Sequence, residues 1–138
     1  MRTKTARKVV VEDFNQRYPG LGDVLPIKFV WSYRYAGRAI EWEYSSGRKS
    51  YEIQFSRTSV WNASRKDMLK IANHELAHVL TYVSDEDESR HHGPYWKKTI
   101  RELGYEPSVR APQLFGEKIM TAACFAANLA IIVWALMR

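Results

Sequence analysis

The chain has 138 residues, which is enough for one domain with a hydrophobic core and too few for two ordinary domains. Hydrophobic residues make up 46% of it and charged residues 26%, which excludes a wholly disordered protein. The formal net charge is +6, but residues 9–118 carry 16 basic and 15 acidic side chains. The excess comes mainly from Arg2, Lys4, Arg7 and Lys8. The charge therefore predicts a basic N-terminal arm, residues 1–8, on a nearly neutral domain.

A single cysteine, Cys124, excludes an intramolecular disulfide and a cysteine-rich zinc ribbon. The N-terminus begins with charged and polar residues and has no apolar stretch of signal-peptide length. We therefore expect a reducing, cytoplasmic location.

Patterns of apolar residues predict an α+β domain that begins with a helix. Val10, Phe14 and Tyr18 recur every four residues, which is typical of an amphipathic helix over about residues 5–18. Three later stretches alternate apolar and polar residues, as strands do: 27–33, 40–44 and 51–55. Turns around Gly37 and Gly47 separate them, so we predict a three-stranded antiparallel sheet in meander order.

Two more helices are predicted after the sheet. Ser64 and Asp67 have the spacing of a capping box and precede an apolar helical pattern of about five turns. Pro94 suits the first turn of the next helix, and Gly104 suits its C-terminal end.

Residues 119–137 contain no charged side chain and predict an apolar C-terminal helix. At about 1.5 Å per residue the helix is about 28 Å long, close to the hydrocarbon thickness of a bilayer. We divide the chain accordingly into a domain, 1–118, and an apolar segment, 119–138. The segment has three interpretations: a membrane anchor, a helix packed on the domain, or a self-association segment.

The chemistry is concentrated in His74-Glu75-Leu76-Ala77-His78 on the helix that follows the capping box. His74 and His78 are one helical turn apart, so both imidazoles project from one face and can bind one metal ion. A catalytic zinc needs three protein ligands, an open position for water, and a carboxylate that takes the proton of that water. Glu75 has the position of that catalytic base.

The third ligand is predicted among the remaining histidines. His91 and His92 are the two candidates, and we favour His92 because it directly precedes Gly93 and Pro94 at the start of the next helix. Glu102 on that helix is an alternative ligand, but it leaves His92 without a role.

The sequence resembles the SprT-like family of zinc metallopeptidases, which includes the Spartan proteases. Four segments carry the resemblance: Phe14-Asn15-Gln16-Arg17-Tyr18, Leu25-Pro26-Ile27 through Trp31-Ser32, His74-Glu75-Leu76-Ala77-His78, and His92-Gly93-Pro94-Tyr95-Trp96. The resemblance implies a minimal zincin-like domain with His74, His78 and His92 as zinc ligands and Glu75 as catalytic base. It also implies peptide-bond hydrolysis in protein substrates, including DNA-associated proteins. Many family members continue into a C-terminal zinc ribbon or a DNA-binding segment, whereas this chain continues into an apolar one.

Two other functions remain open from the sequence. One is a non-catalytic binding module stabilised by zinc, although such a site has no need of Glu75. The other is a DNA-binding protein that uses its basic N-terminal arm or a groove of basic and aromatic residues. The residues considered for that groove are Arg34, Arg38, Arg48, Lys49, Arg57, Arg65 and Lys66, with Trp31, Tyr33, Trp42 and Trp61. The near-neutral domain favours an ordinary mixed surface over this groove.

Overall fold

The computed structural model describes residues 1–84 and 91–108, which form five helices and three strands. In chain order they are α1 (Thr3–Arg17), α2 (Leu21–Val24), β1 (Ile27–Val30), β2 (Gly37–Glu43), β3 (Lys49–Ser56), α3 (Arg57–Asn62), α4 (Arg65–Ser84) and α5 (Pro94–Glu102). The predicted α+β class is confirmed. None of these helices is both long and apolar enough to span a bilayer. The predicted helix 119–137 lies outside the described residues.

The three strands form one mixed sheet in the order β1-β3-β2. β2 and β3 pair antiparallel and are joined through Gly47, which has a φ of 77°. β1 lies on the other side of β3 and runs parallel to it, with Ile27 opposite Ile53 and Val30 opposite Ser56. The predicted antiparallel meander is therefore correct for the β2–β3 hairpin and wrong for β1.

The segment between β1 and β2 explains this difference. β1 ends at Val30, and the carbonyl of Ser32 accepts hydrogen bonds from the hydroxyls of Ser56 (2.6 Å) and Thr58 (2.7 Å). These bonds hold the chain after β1 at the C-terminal end of β3. The chain crosses that end and starts β2 on the opposite side of β3. Trp31, predicted to continue the first strand, is consequently 67% exposed.

The helix signals in the sequence are confirmed at α4 and α5. The Ser64 hydroxyl accepts a hydrogen bond from the Asp67 backbone N–H (3.1 Å), and the Asp67 carboxylate accepts one from the Ser64 backbone N–H (3.2 Å). These are the reciprocal bonds of a capping box, directly before α4. Pro94 begins α5, and Gly104 follows it with a φ of 86°, a conformation that glycine adopts without steric cost.

α4 is the central helix of the domain. It packs against β2 and β3, and both α1 and α5 pack against it. The largest fully buried side chains come mainly from α1, β3, α4 and α5, and they include Val10, Phe14, Ile53, Phe55, Met68, Ile71, Leu76, Trp96 and Ile100. The middle of α4 therefore lies between β2 and α5.

A polar bridge joins α1 to α4 and to the end of α5. The Asp13 carboxylate accepts hydrogen bonds from Arg17 Nε (3.1 Å) and from Nδ2 of the buried Asn73 (2.8 Å). Arg17 Nη1 donates to the backbone carbonyl of Leu103 (2.9 Å), directly after α5. Asn73 Nδ2 also lies 3.4 Å from the hydroxyl of Tyr105. The first helix thereby fixes the last one relative to α4.

The basic N-terminal residues do not form a separate arm. α1 begins at Thr3, so most of residues 1–8 are its first turns. The Met1 ammonium donates hydrogen bonds to the backbone carbonyls of Val60 (3.0 Å) and Trp61 at the end of α3. This contact and the buried Ala6, Val9 and Val10 hold the segment on the domain.

Candidate metal centre

Three histidines from two separate segments meet beside the middle of α4. His74 and His78 lie one turn apart on α4, and His92 lies just before α5. Their candidate ligand nitrogens all lie within 4.8 Å of one another, so the three rings can bind a metal ion together. His91 does not belong to this group, and its side chain is exposed. Glu102 does not belong to it either, and pairs with Lys98 on the surface of α5 (3.9 Å).

The spacing of two of the three nitrogens matches that of ligands on a tetrahedral ion. The Nε2 atoms of His74 and His92 are 3.2 Å apart. A tetrahedral ion with bonds of about 2.0–2.1 Å to nitrogen holds its ligand atoms about 3.3–3.4 Å apart. An all-imidazole donor set is also one that zinc accepts. The three residues therefore fit the metal in chemistry, and His74 and His92 also fit it in distance.

The surroundings keep the imidazoles neutral, which is the form that binds a metal. Burial, followed by the proximity of His92, lowers the pKa of His74 to about 4. Burial, followed by the proximity of the other three histidines, lowers the pKa of His78 to about 3. Both rings are consequently unprotonated at neutral pH, with lone pairs available to a metal ion.

Trp96 of α5 packs against the rings of all three histidines. Its ring centroid lies 4.4 Å from that of His92 and 4.9 Å from that of His74, both edge to face, and 5.4 Å from that of His78. Trp96 is fully buried, so it limits the rotation of the rings that it contacts. The sequence indicated an aromatic residue here only through the family resemblance.

Glu75 points from α4 toward β2. It is only 3% exposed, and this burial raises the pKa of Glu75 to about 8, whereas a hydrogen bond from the Ala39 backbone N–H acts in the opposite direction. A Cβ atom added to Gly37 would lie 2.9 Å from Glu75 Cγ and 2.9 Å from Ile71 Cγ2. Gly37, which the sequence suggested only as a turn, is the first residue of β2 and allows this strand to approach α4 closely.

One protein-family model matches the chain, over residues 8–113. The chain belongs to the SprT-like family. The matched range contains all three histidines and Glu75, and the family is commonly associated with zinc. Among curated proteins, none shows significant similarity to this SprT-like chain.

Tyr82 lies one turn beyond His78 on α4 of the SprT-like domain. The two rings are nearly parallel, at 26°, with centroids 6.3 Å apart. Burial raises the pKa of Tyr82, and the negative charges of Glu75 and Glu41 raise it further, so its hydroxyl stays protonated near the site. Tyr105 belongs to the polar bridge at the end of α1.

Several of the basic residues considered for a nucleic-acid groove make separate contacts on the sheet. Arg38 donates to Gln54 on the sheet, Lys49 pairs with Glu41, and Arg48 lies over the ring of Tyr44. Arg57, Trp31 and Trp61 do line one groove, but with residues of α1 that the sequence did not group with them.

Proposed function

We propose that this chain is a zinc-dependent metallopeptidase of the SprT-like type, with His74, His78 and His92 as the metal ligands and Glu75 as the catalytic base. The observation that supports it most is that α4 carries two histidines of a three-histidine cluster and also a buried carboxylate, which accepts a hydrogen bond from β2. A site that only stabilises a fold needs a closed set of ligands and no adjacent base.

The roles of the side chains follow from their positions. Bound by the three imidazoles, zinc would supply a Lewis acid that polarises a peptide carbonyl and acidifies water. The histidines contribute neutral donors that leave room for that water. Trp96 keeps the rings in place and excludes solvent behind them.

Glu75 moves the proton in this proposal. Its carboxylate takes a proton from the attacking water and passes it to the nitrogen of the leaving amine. The proton transfer requires the ionised carboxylate, which burial opposes and which the positive charge of a bound zinc ion would favour. The N–H of Ala39 stabilises the charged form and orients the carboxylate relative to α4.

The substrate has a natural place beside β2. β2 is the outermost strand of the sheet on the side of Glu75, so an extended peptide can add to its edge by backbone hydrogen bonds. Recognition through the backbone gives broad sequence tolerance. We propose protein substrates, and DNA-associated proteins are the class that the resemblance to the Spartan proteases suggests testing first.

The decisive experiment combines metal analysis with a Glu75→Gln comparison. We expect the unaltered chain to contain zinc and to cleave an unstructured protein such as casein, with loss of cleavage after chelation and recovery with zinc. Glu75→Gln is expected to retain zinc and lose cleavage, by about 100-fold or more, because only the proton transfer is removed. Assays with and without single-stranded DNA test the DNA-associated class.

Glu102→Gln is the matched control, since it makes the same chemical change on the exposed surface of α5. It should cleave like the unaltered chain. Full activity in Glu75→Gln would remove this residue from its role, and zinc binding without any cleavage in the unaltered chain would favour the non-catalytic module.

A further inference from the structure

A groove lies between the first turns of α1, the end of β1 and α3, and we call it the N-terminal groove. It is defined by Arg2, Lys4, Arg7, Trp31, Arg57 and Trp61, and its larger part has a volume of about 670 Å³. None of these residues belongs to the metal centre.

The groove carries positive charge that the described residues do not neutralise. The ion pairs within residues 1–84 and 91–108 involve none of Arg2, Lys4, Arg7 and Arg57. Arg57 donates from Nε to the backbone carbonyl of Phe29 (3.1 Å), which fixes its position and leaves its charge unneutralised. Four cations that have no paired carboxylate therefore face one region, and an anionic surface is the complementary partner.

Two large indoles stand beside these cations. Trp31 is 67% exposed and Trp61 is 75% exposed, and the guanidinium of Arg57 lies 5.7 Å from the ring centroid of Trp31. Exposing two tryptophans to water is unfavourable for a surface that contacts nothing else. Tryptophan beside lysine and arginine is the composition that settles at the boundary between lipid headgroups and acyl chains.

The groove is separate from the proposed catalytic site. It borders β1, at one edge of the sheet, whereas Glu75 faces β2 at the other edge, and β3 lies between them. The difference in position means that binding at the groove leaves β2 accessible to a substrate.

We propose that the N-terminal groove docks the domain on the surface of an anionic lipid bilayer. Single-stranded nucleic acid also binds cationic grooves with exposed aromatic rings. The exposed Trp31 and Trp61 beside the four cations favour the bilayer, because tryptophan with lysine and arginine is the composition found at the level of lipid headgroups. The inference does not depend on the proposed peptidase activity.

The test uses the full chain mixed with vesicles of phosphatidylcholine brominated on its acyl chains, with or without phosphatidylglycerol. The groove signal is the difference in fluorescence between the unaltered chain and Trp31→Phe/Trp61→Phe, which removes the contribution of the other tryptophans. We expect bromine to quench this signal in the anionic vesicles, and salt to reverse the quenching. Neutral vesicles should quench the groove signal only weakly, even if another segment of the chain binds to them.

Lys4→Gln/Arg7→Gln should lose most of the quenching, because its association constant for the anionic vesicles should be at least about tenfold lower. Lys97→Gln/Arg101→Gln is the matched control, because it removes the same charge from exposed positions of α5 and should dock like the unaltered chain. Melting curves check that both variants fold.

Equal quenching in neutral and anionic vesicles, or equal losses in the two double variants, would overturn the proposal. A single-stranded oligonucleotide provides a third arm. If Lys4→Gln/Arg7→Gln weakens oligonucleotide binding and leaves the vesicle signal unchanged, the groove binds nucleic acid and the bilayer proposal is wrong.

Discussion

Gly37 of β2 approaches Glu75 of α4 so closely that a Cβ atom on the glycine would lie 3.0 Å from Glu75 Oε1. An alanine at position 37 must displace the carboxylate, the Ile71 side chain or the strand. The position of the proposed base therefore depends on a missing methyl group in the neighbouring strand.

Gly37→Ala is expected to lower kcat by about 10–100-fold, because a catalytic group displaced by a fraction of an ångström loses its alignment. It should also lower the free energy of unfolding by about 1–3 kcal/mol through overpacking. Zinc content should not change, since no ligand moves. Peptidase kinetics, urea unfolding and metal analysis measure the three quantities.

Gly47→Ala is the control for this variant. Position 47 has a φ of 77°, so alanine there costs about 1 kcal/mol of stability, with open space around the added methyl. Its kcat should be unchanged. Full activity in Gly37→Ala would show that Glu75 does not need its present position.

His92→Ala and His91→Ala separate a ligand from its neighbour in the chain. His92→Ala is expected to weaken zinc binding by more than about 100-fold, since the loss of outer partners of metal ligands alone costs 10–100-fold. It should also cancel the increase in Tm that zinc gives the unaltered chain. His91→Ala should retain both, because His91 is exposed and outside the cluster. Competition with a chelator and thermal unfolding measure these effects, and equal losses in the two variants would contradict the assignment.

Glu52 is expected to make stability depend on pH in acid. Burial raises the pKa of Glu52, but hydrogen bonds from Lys28 and Gln54 outweigh burial, so its pKa lies below the ordinary value. The Lys28 ammonium is 2.7 Å from the Glu52 carboxylate. The stabilisation is fully present above the ordinary pKa and is lost as pH falls through the lowered one.

Glu52→Gln should reduce the free energy of unfolding by about 1–2 kcal/mol at pH 7. The difference from the unaltered chain should shrink as the pH falls below about 4, where both lack the charge. Urea unfolding across this range measures it. Glu43→Gln, an exposed position on β2, should change stability by less than about 0.5 kcal/mol at every pH. If the difference in the free energy of unfolding between Glu52→Gln and the unaltered chain grew as the pH fell, the predicted direction of the pH dependence would be wrong.

The parts of the fold that the sequence predicts are those determined by local chemistry. The capping box of Ser64 and Asp67, the proline that starts α5 and the glycine that ends it act within a few residues, so their pattern is sufficient. The spacing of His74 and His78 likewise determines their shared face on any helix. The approach of His92 was predicted from its place before α5, and the structure brings it to the other two.

The parts that the sequence misses depend on distant contacts. An alternating pattern of apolar and polar residues fits β1 equally well beside β2 or beside β3. Nothing local therefore determines that β1 pairs with β3 in parallel. The carbonyl of Ser32 accepts hydrogen bonds from hydroxyls 24 and 26 residues later in the chain, and these bonds hold the end of β1 beside the end of β3. The role of Gly37 was invisible for the same reason, since the side chains that exclude a Cβ lie on α4.

The bond from Arg17 to the Leu103 carbonyl joins residues 86 positions apart, at the two ends of the described domain. A ribosome synthesises α1 first and α5 last. Arg17 therefore cannot form its bond to Leu103 until nearly the whole described domain has been synthesised. His74 and His78 emerge before His92, and the third imidazole takes its place only as α5 docks. The nascent chain consequently acquires its complete three-histidine cluster only after almost all of the domain has left the ribosome.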